Sequence, residues 1–356
     1  MLLALAQARR GVGRTHPNPP VGAIVVKGKK VLGVGFTAPA GGPHAELRAL
    51  RDAGRRAKGA ELYTTLEPCD HYGKTPPCSI AILDAGVRRV VFASSDPNPL
   101  VNGKGVRRLK RAGVEVVPHV LRAPADLLYG PFFKFIRTGR PFVTLKAAIT
   151  LDGKLATATG ESKWISGARS RARVHLLRDE ADAVIVGAGT VEADDPRLTT
   201  RGVRGGRDPV RVVLDPRLRL AASAKIFTQR SKARTIVATL EGAQYPREQT
   251  LTDKGVEVWK LPGRDGQVDL DALLAALGQA GLLHVLVEGG AAVNSSFLRA
   301  GLWDALRLFI APKLFGHDGL TFSGALGISQ AARAVPLRIS AVDRVGDDLL
   351  LEVLPG

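Results

Sequence analysis

His44, Cys69 and Cys78 lie within the first quarter of this chain, and the two cysteines are the only ones it has. One imidazole and two thiolates form a donor set that zinc accepts tetrahedrally. Three protein ligands leave a fourth position for water, whose pKa then falls toward neutrality. Glu46 follows His44 by two residues, and no other of the seven histidines has a glutamate so placed. A hydrolytic deaminase needs such a carboxylate, outside the metal's ligand set, to take a proton from the attacking water and return one to the departing amine. The deaminase pattern H-x-E…P-C-x-x-C is met except in its spacer, which here runs eight residues between Pro68-Cys69 and Pro77-Cys78. The alternative is a structural site closed by His71, which leaves Glu46 without a role.

A second constellation lies far downstream. The strand-like run LLHVLVE ends at Glu288 and is followed by Gly289-Gly290 and AAVNSSFLRAG, a helix start with free N–H groups, Asn294 and two serines. Glycines that admit a close oxyanion, followed by a helix N-terminus, suit a phosphate. VIVGAGTVEADD invites a dinucleotide fingerprint, but Glu192 stands where the third glycine should fall, so a nicotinamide site in another α/β frame is expected. Neither constellation calls for a covalent nucleophile or a second metal.

The elements that must position these residues alternate. VGAIVV and VLGVGF flank a Lys-Gly-Lys-Lys turn and predict a hairpin. A helix over 44–57, a strand at Leu62–Leu66, a helix at Ser79–Ala85 and the strand RRVVFAS follow. Strands joined through helices predict an α/β fold, with the first half a three-layer α/β/α sandwich. Pro124, Pro131, Gly139 and Pro141 predict a linker over 123–140, giving domains 1–122 and 141–356. In the second half PFVTLKAAI, ADAVIVGAG, PVRVVLD, ARTIVATL, LLHVLVE and ALRLFIAP read as strands, with helices at Ser170–Arg178, Leu270–Gln279 and Ala291–Ala300.

Bulk properties narrow the class. With 356 residues, two domains are expected. No apolar run approaches the ~20 residues of a membrane span, so no membrane partner is expected. Met1–Arg10 reads as a core-facing helix, since a secretory signal places its positive charge first. Two thiols with a metal to bind suit a reducing, cytoplasmic compartment. The net charge of +18 is concentrated in residues 1–140, which hold 23 Lys/Arg against 9 Asp/Glu. That field would attract a phosphorylated small molecule or a nucleic acid. The competing function is therefore a nucleic-acid-acting zinc deaminase with a C-terminal accessory domain. Aromatic residues make up only 5% of the chain, few for stacking bases, so no nucleic acid is expected.

Thr15–Gly22 (THPNPPVG), Gly42–Leu50 (GPHAELRAL), Leu66–Cys78 (LEPCDHYGKTPPC) and Asp96–Gly105 (DPNPLVNGKG) resemble the deaminase half of the bifunctional deaminase/reductase family of riboflavin biosynthesis. Lys146–Gly167, Val184–Arg201, Val287–Leu298 and IAPKLFG resemble its reductase half. The resemblance implies a cytidine-deaminase-like domain followed by a dihydrofolate-reductase-like α/β domain. It implies removal of the C2 amino group of a phosphorylated diaminopyrimidinone ribosylamine, then NADPH-dependent reduction of the ribosyl carbon to a ribityl chain.

Carried over by motif, His44, Cys69 and Cys78 hold zinc, Glu46 moves the proton, and Asn18, Lys74, Asp96 and Asn98 contact the pyrimidine substrate. For the reductase, Ala148, Trp164, Thr190, Asp194 and the stretch Gly290, Ala291, Ala292, Val293, Asn294, Ser295 and Ser296 fall on NADPH positions. Ser162, Arg178, Leu198, Arg201 and Glu288 fall on substrate positions. Arg178 and Arg201 make physical sense as a bidentate phosphate clamp. Three residues depart from the family's usual pattern: Thr37 where histidine is common, Asp70 where serine is common, and Pro216 where serine is common. Thr37 and Asp70 support a third reading, a degenerate deaminase half, through a lost imidazole and through a carboxylate repelling an anionic substrate beside a thiolate. The resemblance begins inside the usual first helix, which predicts a shortened one, and it implies a homo-oligomer, dimer or tetramer.

Overall fold

The expected hairpin forms. In a computed structural model, which describes residues 1–72, 76–242 and 247–356, β1 (Gly22–Lys27) pairs antiparallel with β2 (Lys30–Phe36). Gly28 takes φ +60° in the turn, a conformation that suits its missing Cβ. The chain divides into two units, Met1–Arg140 and Pro141–Gly356.

In the first unit β3 (Glu61–Leu66), β4 (Arg89–Ser94) and β5 (Glu115–Val117) extend the sheet to the order β2-β1-β3-β4-β5. β1 runs antiparallel to β2 and β3, whereas β3, β4 and β5 are mutually parallel. Helices α1 (Leu2–Arg9) and α2 (Ala45–Ala53) cover opposite faces. A Cβ on Gly22 would strike the backbone of α1 at Ala4 and Ala8, and one on Gly33 or Gly35 would strike α2. These glycines let both helices lie directly on the sheet, as the three-layer sandwich requires. Two further helices, α3 (Cys78–Asp84) and α4 (Lys104–Arg111), complete the crossovers. The sequence reading carried α2 on to residue 57, but Gly54, at φ +56°, caps it and residues 54–57 turn as a tighter helix.

The expected linker is instead a helix, α5 (Arg122–Thr138). Its Ala125, Tyr129, Phe132 and Phe133 are buried in the first unit's core. Thr65 of β3 shares a 2.5 Å hydrogen bond with the Tyr129 hydroxyl. The misreading has a physical reason. Pro124 sits in the first helical turn, where no N–H partner is lost, and Gly139 at φ +68° closes the helix. Only Pro131 interrupts the interior.

The second unit is built on a nine-stranded sheet. In chain order it comprises β6 (Phe142–Thr150), β7 (Lys154–Ala156), α6 (Ala168–Glu180), β8 (Ala183–Gly187), α7 (Ala188–Asp194), β9 (Val210–Leu214), α8 (Lys225–Thr228), β10 (Thr235–Leu240), α9 (Glu248–Thr252) and β11 (Glu257–Leu261). There follow β12 (Gly263–Arg264), β13 (Gln267–Val268), α10 (Leu270–Gln279), β14 (His284–Val287), α11 (Ala291–Ala300), β15 (Ala305–Ala311), β16 (Leu320–Thr321), β17 (Leu337–Val345) and β18 (Asp348–Pro355). The sheet order is β11-β10-β9-β8-β14-β6-β15-β18-β17, parallel except where β18 meets β15 and β17. Its central strands are largely apolar, as suits strands covered on both faces. Among the described residues no helix is long and apolar enough to cross a membrane.

Candidate active sites

In the first unit, the start of α2 and the end of β3 bring the expected donors together. His44 is the N-cap of α2 and Glu46 lies in its first turn, Cys69 follows β3, and Cys78 opens α3. His44 Nδ1 is 3.2 Å from Cys78 Sγ and 3.6 Å from Cys69 Sγ, and the Cys78 amide donates to Cys69 Sγ at 3.4 Å. The three donor atoms lie within 4.8 Å of one another, the one such cluster among the described residues. A hydrogen bond with Cys78, and then His44, pull the Cys69 thiol down, while Cys78 is pushed up by that hydrogen bond and by burial. Two buried sulfurs beside one imidazole fit zinc by chemistry and by spacing. His71 lies outside this trio, so a closed four-ligand site does not form.

Glu46 is 3% exposed, and burial followed by the neighbouring Cys69 pushes its carboxyl up to about 7. It lines a cavity of about 280 Å³ with His44, Cys69, Asn18, Asp96 and Asn98. Burial also raises Asp96 to about 6, although its Oδ1 accepts the Asn98 amide at 2.8 Å. Lys74 lies outside the described residues. Two further lining groups went unread in the sequence, Glu67 and Phe132, the latter brought by the helix mistaken for a linker; His71, read there only as a candidate metal ligand, also lines the cavity, and its Nδ1 has no partner among the described residues.

Two departures prove benign in geometry. Thr37 lines the cavity, but its hydroxyl accepts the Val21 amide at 3.0 Å, so it serves the fold rather than replacing an imidazole. Asp70 does not line the cavity. Its Oδ1 accepts from Ser79 Oγ at 2.5 Å and from Arg108 Nε at 2.6 Å, so the carboxylate is paired with a cation rather than facing the cavity.

In the second unit, a cavity of about 760 Å³ opens beside β6 and at the C-terminal ends of β8 and β14. Open parallel sheets place ligands at that end. It is lined by Ala148, Ser162, Trp164, Arg178, Thr190, Asp194, Leu198, Arg201, Glu288 and the segment Gly290–Val293, all expected. A Cβ on Gly289 would fall 2.5 Å from that of Val293, so this glycine is required by packing. Asn294, Ser295 and Ser296 do not line it. Asn294 is fully buried and donates to the Phe322 carbonyl at 3.1 Å. Ser295 donates to the Ala291 carbonyl at 2.6 Å, and Ser296 to that of Ala292 at 3.0 Å. Helical periodicity turns this half of the motif inward or onto its own helix. Pro216, too, is outside the cavity; its carbonyl accepts from Thr239 Oγ1 at 3.1 Å.

The expected arginine clamp is also revised. Arg178 directs Nε and Nη2 at Glu288 and Nη1 at the Thr199 carbonyl, so that of the two clamp arginines Arg201 is the one whose guanidinium has no hydrogen-bond partner among the described residues. Burial raises the Glu288 carboxyl, but Arg178 and Lys146 outweigh it and hold it down at about 2. Lys146, with Nζ 3.9 Å from Glu288 Oε2, was missed. The signal was present: a lysine inside an otherwise apolar strand, FVTLKAAIT.

With this geometry in place, comparison with known proteins is decisive. Residues 141–351 match the family described as the RibD C-terminal domain. A riboflavin biosynthesis protein RibD of Aquifex aeolicus is 47% identical over 351 residues, covering 99% of this chain and 96% of its own. The chain belongs to the RibD family. Residues 1–94 match the cytidine and deoxycytidylate deaminase zinc-binding region. The RibD of Escherichia coli strain K12 is 38% identical, covering 99% of this chain and 98% of its own.

Among solved structures, Acinetobacter baumannii RibD superposes with a TM-score of 0.87 at 40% identity, covering 100% of this chain and 97% of that one. A Thermotoga maritima protein described as a diaminohydroxyphosphoribosylaminopyrimidine deaminase/5-amino-6-(5-phosphoribosylamino)uracil reductase gives 0.87 at 39%, with the same coverage. This RibD-family chain is a bifunctional deaminase and reductase of riboflavin biosynthesis, with a zinc-binding deaminase domain and an NADPH-dependent reductase domain of dihydrofolate-reductase-like fold. The nucleic-acid deaminase alternative gives way, because the second unit is a reductase and not an accessory domain.

Proposed function

We propose that His44, Cys69 and Cys78 hold the zinc and that Glu46 is the proton shuttle for deamination of a diaminopyrimidinone ribosylamine phosphate, whose uracil product is reduced to a ribitylaminouracil phosphate in the second unit. The observation that carries this reading is the convergence of the three donors on one another, within 4.8 Å, at a cavity that His44, Cys69 and Glu46 line. When bound, zinc supplies the Lewis acidity that makes water nucleophilic near neutral pH. A carboxyl with a pKa of about 7 both accepts the proton released by that water and returns it to the C2 amino group, which leaves as ammonia. Asn18, Asp96 and Asn98 orient the pyrimidine, and Lys74 completes the set by motif.

In the second cavity Gly290–Val293, Ala148, Trp164, Thr190 and Asp194 cradle NADPH, which supplies the hydride. Arg201 receives the substrate phosphate, while Ser162, Leu198 and the Arg178–Glu288 pair shape the ribose site. The substrate is thus a phosphorylated small molecule, and the family resemblance supports a cytoplasmic homo-oligomer. The test supplies the diaminopyrimidinone substrate with NADPH and follows ammonia and NADPH oxidation together. Ammonia release without subsequent NADPH consumption would overturn the two-step reading.

A further inference from the structure

Asp70 departs from the serine that the resemblance led one to expect, and its surroundings give the carboxylate a purpose. It adjoins Cys69, yet its carboxylate turns toward the segment that carries the second thiol. Ser79, the neighbour of Cys78 and fully buried, donates its hydroxyl to Asp70 Oδ1 at 2.5 Å, and its amide donates to the Cys69 carbonyl at 3.1 Å. With the Cys78 amide on Cys69 Sγ, three hydrogen bonds join residues 69–70 to residues 78–79. The intervening loop therefore does not have to set the spacing of the two sulfurs.

The same oxygen accepts from Arg108 Nε at 2.6 Å, with the Asp70 side chain 12% exposed and Arg108 48%. Arg108 lies on α4, one turn after Gly105, and a Cβ on Gly105 would collide with the Pro68 carbonyl. Val101, just before α4, forms one buried apolar cluster with the two cysteines. The 101–108 segment thus braces the thiol pair through an apolar contact at one end and an ion pair at the other.

We propose that Asp70 is a positioning residue for the metal: clamped between Ser79 and Arg108, it holds the Cys69 and Cys78 thiolates at the separation zinc requires. The proposal rests on the assignment of those cysteines as zinc ligands. Groups that orient metal ligands in this way typically change metal affinity by 10–100-fold when removed. A serine at position 70 is too short to reach both partners.

The experiment uses the full-length, zinc-loaded protein. Zinc release to a chromophoric chelator is timed for the parent, Asp70→Ala, Asp70→Asn, Arg108→Ala and the Asp70→Ala/Arg108→Ala double variant. The absorption bands of the cobalt(II)-substituted proteins report ligand geometry independently of activity. The clamp predicts release about tenfold faster for either alanine variant, with altered cobalt bands. It predicts a double variant no worse than the poorer single one, because both act through one contact. Asp70→Asn keeps both acceptor bonds and should retain zinc as the parent does. Should Asp70→Ala fail to fold, as read by a loss of helical circular dichroism while the reductase activity of the second unit persists, the partly exposed Arg108→Ala carries the test alone. Unchanged release and unchanged cobalt bands in Arg108→Ala, or an Asp70→Asn as leaky as Asp70→Ala, would overturn the clamp. A parent protein that binds no zinc would instead sink the metal assignment beneath it.

Discussion

Arg178 and Glu288, 110 residues apart, meet in a two-pronged ion pair, Nε to Oε1 at 2.6 Å and Nη2 to Oε2 at 2.9 Å. The side chains are 12% and 9% exposed. Removing one partner leaves the other as an unpaired charge in a largely dry site, at a cost of about 3–5 kcal/mol. Glu288→Ala should therefore lower the stability of the second unit by that order and abolish NADPH oxidation. All three tryptophans, Trp164, Trp259 and Trp303, belong to this unit, so their fluorescence isolates its unfolding. A variant with an unshifted fluorescence midpoint would contradict the role given to the pair.

The pH dependence of this unit follows from the same pair. Glu288 is held at about 2, below its ordinary value of 4.5, so the unfolded chain binds its proton more readily than the folded one. Its contribution is fully present above about pH 4.5 and is lost as pH falls through 2. The shift corresponds to roughly 3 kcal/mol. Urea unfolding followed by tryptophan fluorescence should show this loss between pH 5 and pH 2, and Glu288→Gln should flatten that limb.

Glu46→Gln keeps the shape of the buried carboxyl but removes its proton traffic. Ammonia release should fall by about 10²–10⁴-fold. Zinc content and reduction of the deaminated substrate should stay at parental levels, since neither uses this side chain. Parental ammonia release would remove Glu46 from the mechanism.

Extraction of zinc by a strong chelator should silence the first reaction and spare the second. His44, Cys69 and Cys78 all lie in the first unit, and the reductase cavity contains none of them. NADPH oxidation supported by the deaminated substrate is the measurement, and its loss together with deamination would argue for a metal-dependent second site.

The helix of residues 122–138 belongs to the first unit's core. Tyr129→Ala removes a fully buried aromatic ring and should cost about 3–5 kcal/mol. Ammonia release should therefore fail at a lower temperature, while tryptophan-monitored unfolding of the second unit stays in place. Equal thermal inactivation of parent and variant would restore the view of this segment as a passive connector.

The residue types and spacing alone determined the metal chemistry. Two thiols and an imidazole in a chain with no other cysteine have few alternative uses, and a glutamate two residues from the histidine points to proton transfer. Apolar runs likewise determined the central strands, because a strand buried on both faces must be apolar whatever surrounds it. Other features depended on which groups folding brought into contact. The prolines and glycine of 123–140 read as breakers until Tyr129, Phe132 and Phe133 found a core to enter. The motif of Asn294–Ser296 was legible, but the direction in which each side chain left α11 was not. Arg178 became a partner of Glu288 and Asp70 a partner of Arg108 only because residues distant in sequence became adjacent. Charge pairing is a property of distance, and distance between remote residues is set by packing rather than by order along the chain.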